Sequence, residues 1–173
     1  YAGNIVCAHD PLTAGELFEN LIKYIDPELF IVCNIKEEAI ESLVSDILSE
    51  NNFQNFAFLD STIPQINKLL KFGVTNFFAR ISSLEPYLYA ERMCREVDWL
   101  WVDTLEDIPI TPKELKNLKN DHNIKACLVS PELIEISRLS QIDRFKDTIK
   151  ESGMEFDAIC TKYPNRWLKK NGS

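Results

Sequence analysis

Trp99-Leu100-Trp101-Val102-Asp103 is a short apolar run closed by one carboxylate. The same phrase recurs along the chain. Ile5-Val6-Cys7-Ala8 runs into His9-Asp10, and Phe30-Ile31-Val32-Cys33 into Asn34-Ile35-Lys36. Phe56-Ala57-Phe58-Leu59 precedes Asp60, and Phe77-Phe78-Ala79 precedes Arg80. Ala126-Cys127-Leu128-Val129 leads to Ser130-Pro131-Glu132, and Ala158-Ile159-Cys160 to Thr161-Lys162. Near-continuous apolar runs are what parallel strands covered on both faces need. Helix-length amphipathic stretches lie between them, so the chain reads β-α throughout. The expectation is an α/β fold of the (β/α)8 TIM-barrel type, with about seven βα units in a single domain over residues 1–173. The shortfall of about one strand, and a first strand that opens almost at once, lead us to expect an N-terminal strand before Tyr1 in a somewhat longer protein.

The helices announce themselves by stripes and caps. Thr13-Ala14-Gly15-Glu16 fits a capping box, followed by Leu17, Phe18, Leu21, Ile22 and Ile25 at helical spacing. Glu37 to Leu48 carries Ala39, Ile40, Leu43, Val44 and Ile47 on one face. Thr111-Pro112-Lys113-Glu114 is a strong helix start: a hydroxyl N-cap, proline in the first turn and glutamate in position to cap back. Gly73 and Gly153 are placed to end helices. Lys169 to Ser173 reads as a solvated tail.

The chain of 173 residues is long enough for one well-buried core. Its 27 acidic against 19 basic residues give a net charge of −8. Nucleic acid as a general partner is therefore not expected, because phosphate backbones call for a basic surface. A small phosphorylated substrate needs only a local basic site and stays open. No apolar run approaches the roughly 20 residues of a membrane span. The five cysteines show no CxxC spacing. Reduced structural thiols in a cytoplasmic protein are the expectation. A second copy is a possible partner, since an exposed strand edge needs cover.

Barrels and doubly wound sheets put their chemistry at the carboxyl ends of the strands. Here those ends carry His9, Asp10, Asn34, Lys36, Asp60, Arg80, Asp103, Glu132 and Lys162. Cations suit a phosphate or carboxylate, and carboxylates suit a hard metal ion or acid–base work. Strand-end charges that merely pair with one another are the bland alternative. His9 follows an apolar run and should point into the mouth, where a histidine could protonate a leaving alkoxide. Lys36 could hold a phosphoryl oxygen, or form a Schiff base if buried. Asn34 shares its side of the strand. Trp99 and Trp101 also share one side of their strand; packing and a substrate platform (Trp101) are both open readings. His122 is expected at the surface.

Three segments, in order, carry a resemblance. They are Val6-Cys7-Ala8-His9-Asp10-Pro11-Leu12, Asn34-Ile35-Lys36, and Phe156-Asp157-Ala158-Ile159-Cys160-Thr161-Lys162-Tyr163-Pro164-Asn165-Arg166. Together they resemble the glycerophosphodiester phosphodiesterase family, and more broadly the phospholipase C-like phosphodiesterase barrels. The resemblance implies a barrel that cleaves a phosphodiester with a divalent cation, Mg²⁺ or Ca²⁺. It implies His9 as general acid; the strand ends add Lys36 as a catalytic residue and set Arg80, Lys162 and Trp101 toward the substrate. The metal would be sought at Asn34, Asp60, Asp103 and Glu132. Two departures stand out: Asn34 replaces a metal-binding glutamate of the family, and Lys162 replaces an aspartate. An amide oxygen can ligate a hard cation but brings no charge. Two other readings follow: a sugar or sugar-phosphate enzyme using Lys36 or Lys162, and a degenerate barrel binding a phosphorylated glycan or a partner.

Overall fold

The computed structural model describes residues 4–10 and 13–168; Pro11-Leu12 of the first motif and the tail from Lys169 onward lie outside the described residues. The chain is α/β and divides into two compact units, Tyr1–Phe77 and Phe78–Ser173.

The first unit opens with an antiparallel pair, β1 (Val6–Cys7) and β2 (Glu16–Leu17). Gly15 permits the pairing, because a Cβ there would sit 2.1 Å from the Cys7 carbonyl oxygen. This hairpin takes the place of the helix expected from Thr13. Glu16 pairs with Cys7 instead of capping, and the Thr13 hydroxyl donates to the Asp10 carbonyl at 2.6 Å. Helix is confined to α1 (Phe18–Leu21) and a 3-10 turn over Ile22–Tyr24. Their Phe18 and Ile22 are buried, as the stripe anticipated.

There follow β3 (Ile31–Asn34), α2 (Glu41–Glu50), β4 (Phe56–Leu59) and α3 (Ile63–Leu70). β3 and β4 run parallel, Ile31 opposite Phe56 and Asn34 opposite Leu59, and Phe58 makes a parallel bridge to Phe77. α2 starts at Glu41 and not at Glu37, since Ala39 turns left-handed at φ 66° before it. Val44, Ile47 and Leu48 of α2 and Ile66 and Leu69 of α3 are buried, as are Phe53 and Phe58. Glu41 is 1% exposed, and neither of its carboxylate oxygens has a hydrogen-bond partner. Burying a polar group without a partner is costly. Glu41→Met is therefore expected to stabilise the chain by about 1–3 kcal/mol, read as a higher urea midpoint. A midpoint that falls would contradict this account.

The second unit is a regular alternation. In order it contains β5 (Phe78–Ile81), α4 (Tyr87–Met93), β6 (Trp99–Val102), α5 (Pro112–His122) and β7 (Lys125–Val129). Then come α6 (Pro131–Ile134), a 3-10 segment (Ile136–Gln141), α7 (Ile142–Ser152), β8 (Ala158–Cys160) and α8 (Pro164–Trp167). The strands form one parallel sheet in the order β5-β6-β7-β8, so each lies beside its successor, with helix between them. Ala79, Ile81, Leu100, Val102, Ala126 and Leu128 alternate onto one face and are at most 1% exposed. The other face carries Phe78, Arg80, Trp99, Trp101 and Cys127 in register. The Phe78 ring lies 5.3 Å from Trp99 and 5.4 Å from Trp101.

The expected capping box opens α5. Glu114 N–H donates to the Thr111 hydroxyl, and Thr111 N–H donates back to the Glu114 carboxylate at 2.8 Å. Gly153 closes α7 at φ 69°. At the amino end of the sheet, Asp157 accepts from the Ala126 N–H and the Lys119 ammonium, both at 2.8 Å. The amino ends of such strands serve stability rather than chemistry. Asp157→Ala should cost about 1–3 kcal/mol in urea unfolding. An unchanged urea midpoint would contradict that role. Among the described residues no helix is long and apolar enough to cross a membrane.

Candidate ligand site at the carboxyl ends of the strands

The buried polar side chains described in the second unit are Ser82, Asp103, Thr104, Ser130, Glu132 and Arg138. The first five lie one to three residues beyond the last residue of β5, β6 or β7. Arg138 comes from the 3-10 segment and reaches the same loops. Polar burial is thus concentrated at the carboxyl edge of a parallel sheet, where the strand-end charges of the sequence point.

Arg80 donates from Nη2 to Asp103 Oδ2 at 2.5 Å, and its Nε lies 3.3 Å from Glu85 Oε2. Glu85 also accepts from the Ser82 hydroxyl at 2.6 Å, and Ser82 Oγ in turn accepts from the Leu84 and Glu85 N–H groups. The Arg80 side chain is 33% exposed while Asp103 is nearly buried. The Arg80 side chain is therefore held by two carboxylates while a third of it stays exposed. Asp103 Oδ1 is buried at the same edge without a hydrogen-bond partner.

Glu132 organises the β7 and β8 ends. Ser130 Oγ donates to its Oε2; Thr161 Oγ1 and the Lys162 N–H donate to its Oε1 at 2.6 and 3.1 Å. The Trp167 indole donates to Ser130 Oγ at 2.8 Å. Burial raises the Glu132 pKa, but the hydroxyls of Ser130 and Thr161 and the backbone amides outweigh it, so the carboxyl sits below its ordinary range. Burial, with the carboxylates of Glu132 and Asp103, pushes the Cys160 thiol up. Arg138 donates to the carbonyls of Thr104, Leu105 and Glu106 at 2.7, 3.0 and 2.7 Å, pinning the loop after Asp103.

The predicted residues of the second unit therefore gather at one edge. Arg80 meets Asp103, Glu132 meets the backbone of Lys162, and the Lys162 side chain is exposed. Trp101 lies opposite Arg80 in register but is 8% exposed and packed edge-on to Phe78, which makes it a wall before a platform.

In the first unit, Lys36 Nζ lies 3.4 Å from Asp60 Oδ2, after the paired strands β3 and β4. Asp60 takes a left-handed turn at φ 64°, and Asn34 is exposed at the end of β3. His9 is placed differently from the expectation. Its side chain is 98% exposed, and its partner is the neighbouring Asp10 at 3.2 Å. The reason is the hairpin: His9 follows a two-residue antiparallel strand, not a buried parallel one. Lys36 is 42% exposed and Lys162 exposed, so neither has the apolar surroundings that make a Schiff-base lysine.

Among the described residues no three His, Cys, Asp or Glu side chains converge as metal ligands. Asp103 spends one oxygen on Arg80, Glu132 satisfies three donors, and Asn34 is neutral. The donor set does not fit the divalent cation that the resemblance implies. All five cysteines are free, and burial pushes Cys94 and Cys127 up to about 12, as inert structural thiols.

Sequence reasoning missed Arg138, Glu85 and the hydroxyls of Ser82 and Thr161. Ser130-Pro131-Glu132 did carry a signal, an N-cap residue and proline directly after a strand. Arg138 carried none, because its acceptors are backbone carbonyls more than thirty residues away. No family model, curated protein or solved structure matches this chain.

Proposed function

We propose that this chain belongs to a cytoplasmic (β/α)8-barrel phosphodiesterase, a phosphoric diester hydrolase acting on a glycerophosphodiester or a related small phosphodiester. The observation that carries the reading is the concentration of buried polar side chains at the carboxyl ends of β5, β6 and β7, with the cations Arg80 and Lys162 at that edge. Guanidinium and ammonium groups held there suit phosphoryl oxygens. Arg80, fixed by Asp103 and Glu85, takes a phosphoryl oxygen without reorganising, which is what stabilises developing charge. The resemblance implies the acid role for His9. In the second unit the phosphoryl charge is met by Arg80 and Lys162.

A second reading, binding of a phosphorylated ligand without turnover, is favoured by the exposure of His9 and by the unfit metal donor set.

The test is turnover of a phosphodiester panel, including glycerophosphodiesters, with Mg²⁺, Ca²⁺ or EDTA. Lys162→Gln and His9→Ala serve as variants, since both side chains are exposed and neither change should unfold the chain. Turnover lost with His9→Ala and weakened about tenfold by Lys162→Gln is expected. Saturable binding without turnover would select the second reading. Neither binding nor turnover by folded protein would overturn both.

A further inference from the structure

The first unit holds a cavity of about 530 Å³, whose wall includes Asn34 and Lys36. Its walls come from β1, α1, β3 and the start of α2, through Ile5, Val6, Phe18, Leu21, Ile31 and Val44 among others. The volume falls in the range of small-molecule sites, about 300–1,000 Å³, which are mostly apolar with few polar groups. Val6, Leu21 and Val32 are 39, 38 and 38% exposed, and all three line this cavity. Apolar surface shown to solvent inside a concave wall is what an apolar ligand covers.

The polar side chains on the wall decide the head group. They are Asn4, Asp10, Thr13, Asn34, Lys36 and Glu37, and all are exposed. Two carboxylates and one ammonium line the wall, and that ammonium lies 3.4 Å from Asp60. An anionic head would meet a net negative rim. A hydroxylated head finds acceptors in Asp10, Glu37 and Asn34 and a partner in the Thr13 hydroxyl.

The geometry points to a binding site within the first unit: this cavity takes an uncharged amphiphile, an apolar chain carrying a hydroxylated head. The chain lies against Val6, Leu21 and Val32. The head stays at the Asp10–Glu37 rim, in contact with water.

The experiment uses monodecanoylglycerol below its micellar concentration. Binding to the whole chain is followed by native mass spectrometry and amide chemical shifts, with decyl phosphate as the anionic comparison. Leu21→Trp and Val32→Trp each fill the cavity from a different element, and circular dichroism checks their fold. Val6→Asp, at an exposed position, is a third variant that needs no repacking. Expected are one molecule bound per chain, a loss of about tenfold or more in each folded variant, and decyl phosphate weaker by about tenfold. Folded wild-type chain that takes up no monodecanoylglycerol overturns the site. Binding that survives the folded variants overturns its location, and equal binding of decyl phosphate overturns its chemistry. A concentration-dependent doubling of mass without ligand uptake assigns the surface to a second copy and likewise overturns the proposal.

Discussion

Replacing Glu132 with alanine is expected to destabilise the chain by about 3–5 kcal/mol, the cost typical of breaking a buried charged network. The side chain is 3% exposed and receives two hydroxyls and one backbone amide. Hydrogen bonds to a charged acceptor contribute about 1.5–3 kcal/mol each, and not additively. Removing the acceptor strands the Lys162 N–H and frees the turn after β8. Glu132→Gln keeps the shape and one acceptor oxygen, so it should recover part of the loss.

The two variants separate by pH. The Glu132 carboxyl sits below its ordinary value of 4.5 in the folded chain. A depressed folded value contributes stability that is full above the unfolded value and is lost as pH falls through the folded one. The gap between wild type and Glu132→Gln should therefore be constant above pH 4.5 and narrow below it. Urea midpoints across the acid range measure this. A gap that widens on acidification would contradict the hydrogen-bond assignment.

Arg138→Ala is the second large effect, expected to cost about 2–4 kcal/mol. The guanidinium satisfies three consecutive carbonyls and the Gln141 side-chain oxygen at 3.1 Å. Its carbon also lies 6.0 Å from the Phe145 ring centroid. A lysine cannot copy a planar fork, so Arg138→Lys should recover less than half of the loss. The loop it holds begins at Asp103, so the Arg80–Asp103 pair should loosen as well. Amide exchange from Thr104 to Glu106 should quicken in both variants. Unchanged exchange there would show that the loop is held by something else.

The fold was legible where local chemistry and tertiary need agree. Phe56 to Leu59 reads as a strand and forms one over those residues, and Thr111 caps its helix as its spacing requires. The reading failed where a tertiary contact overrode a local signal. Thr13 and Glu16 have capping-box spacing, yet the close approach of Gly15 to Cys7 draws Glu16 into a strand. His9 went with it: a histidine after an apolar run points inward only if that run is buried, and Val6 and Cys7 are exposed. At the site, the charged residues were legible because a charge after a strand is conspicuous. The groups that hold them were not, because a hydroxyl or a distant arginine gains its role only from the folded geometry.

The central claim is that the carboxyl edge of the β5–β8 sheet is the ligand face. The most direct measurement is an amide chemical-shift titration of the folded chain with glycerophosphocholine, repeated with Lys162→Gln. The account predicts saturable shifts concentrated at Arg80 to Glu85, Asp103 to Glu106, Ser130 to Glu132 and Thr161 to Tyr163, weakened about tenfold by the variant. Saturable shifts confined to the opposite edge, around Lys119 and Asp157, or no shifts at all, would contradict it.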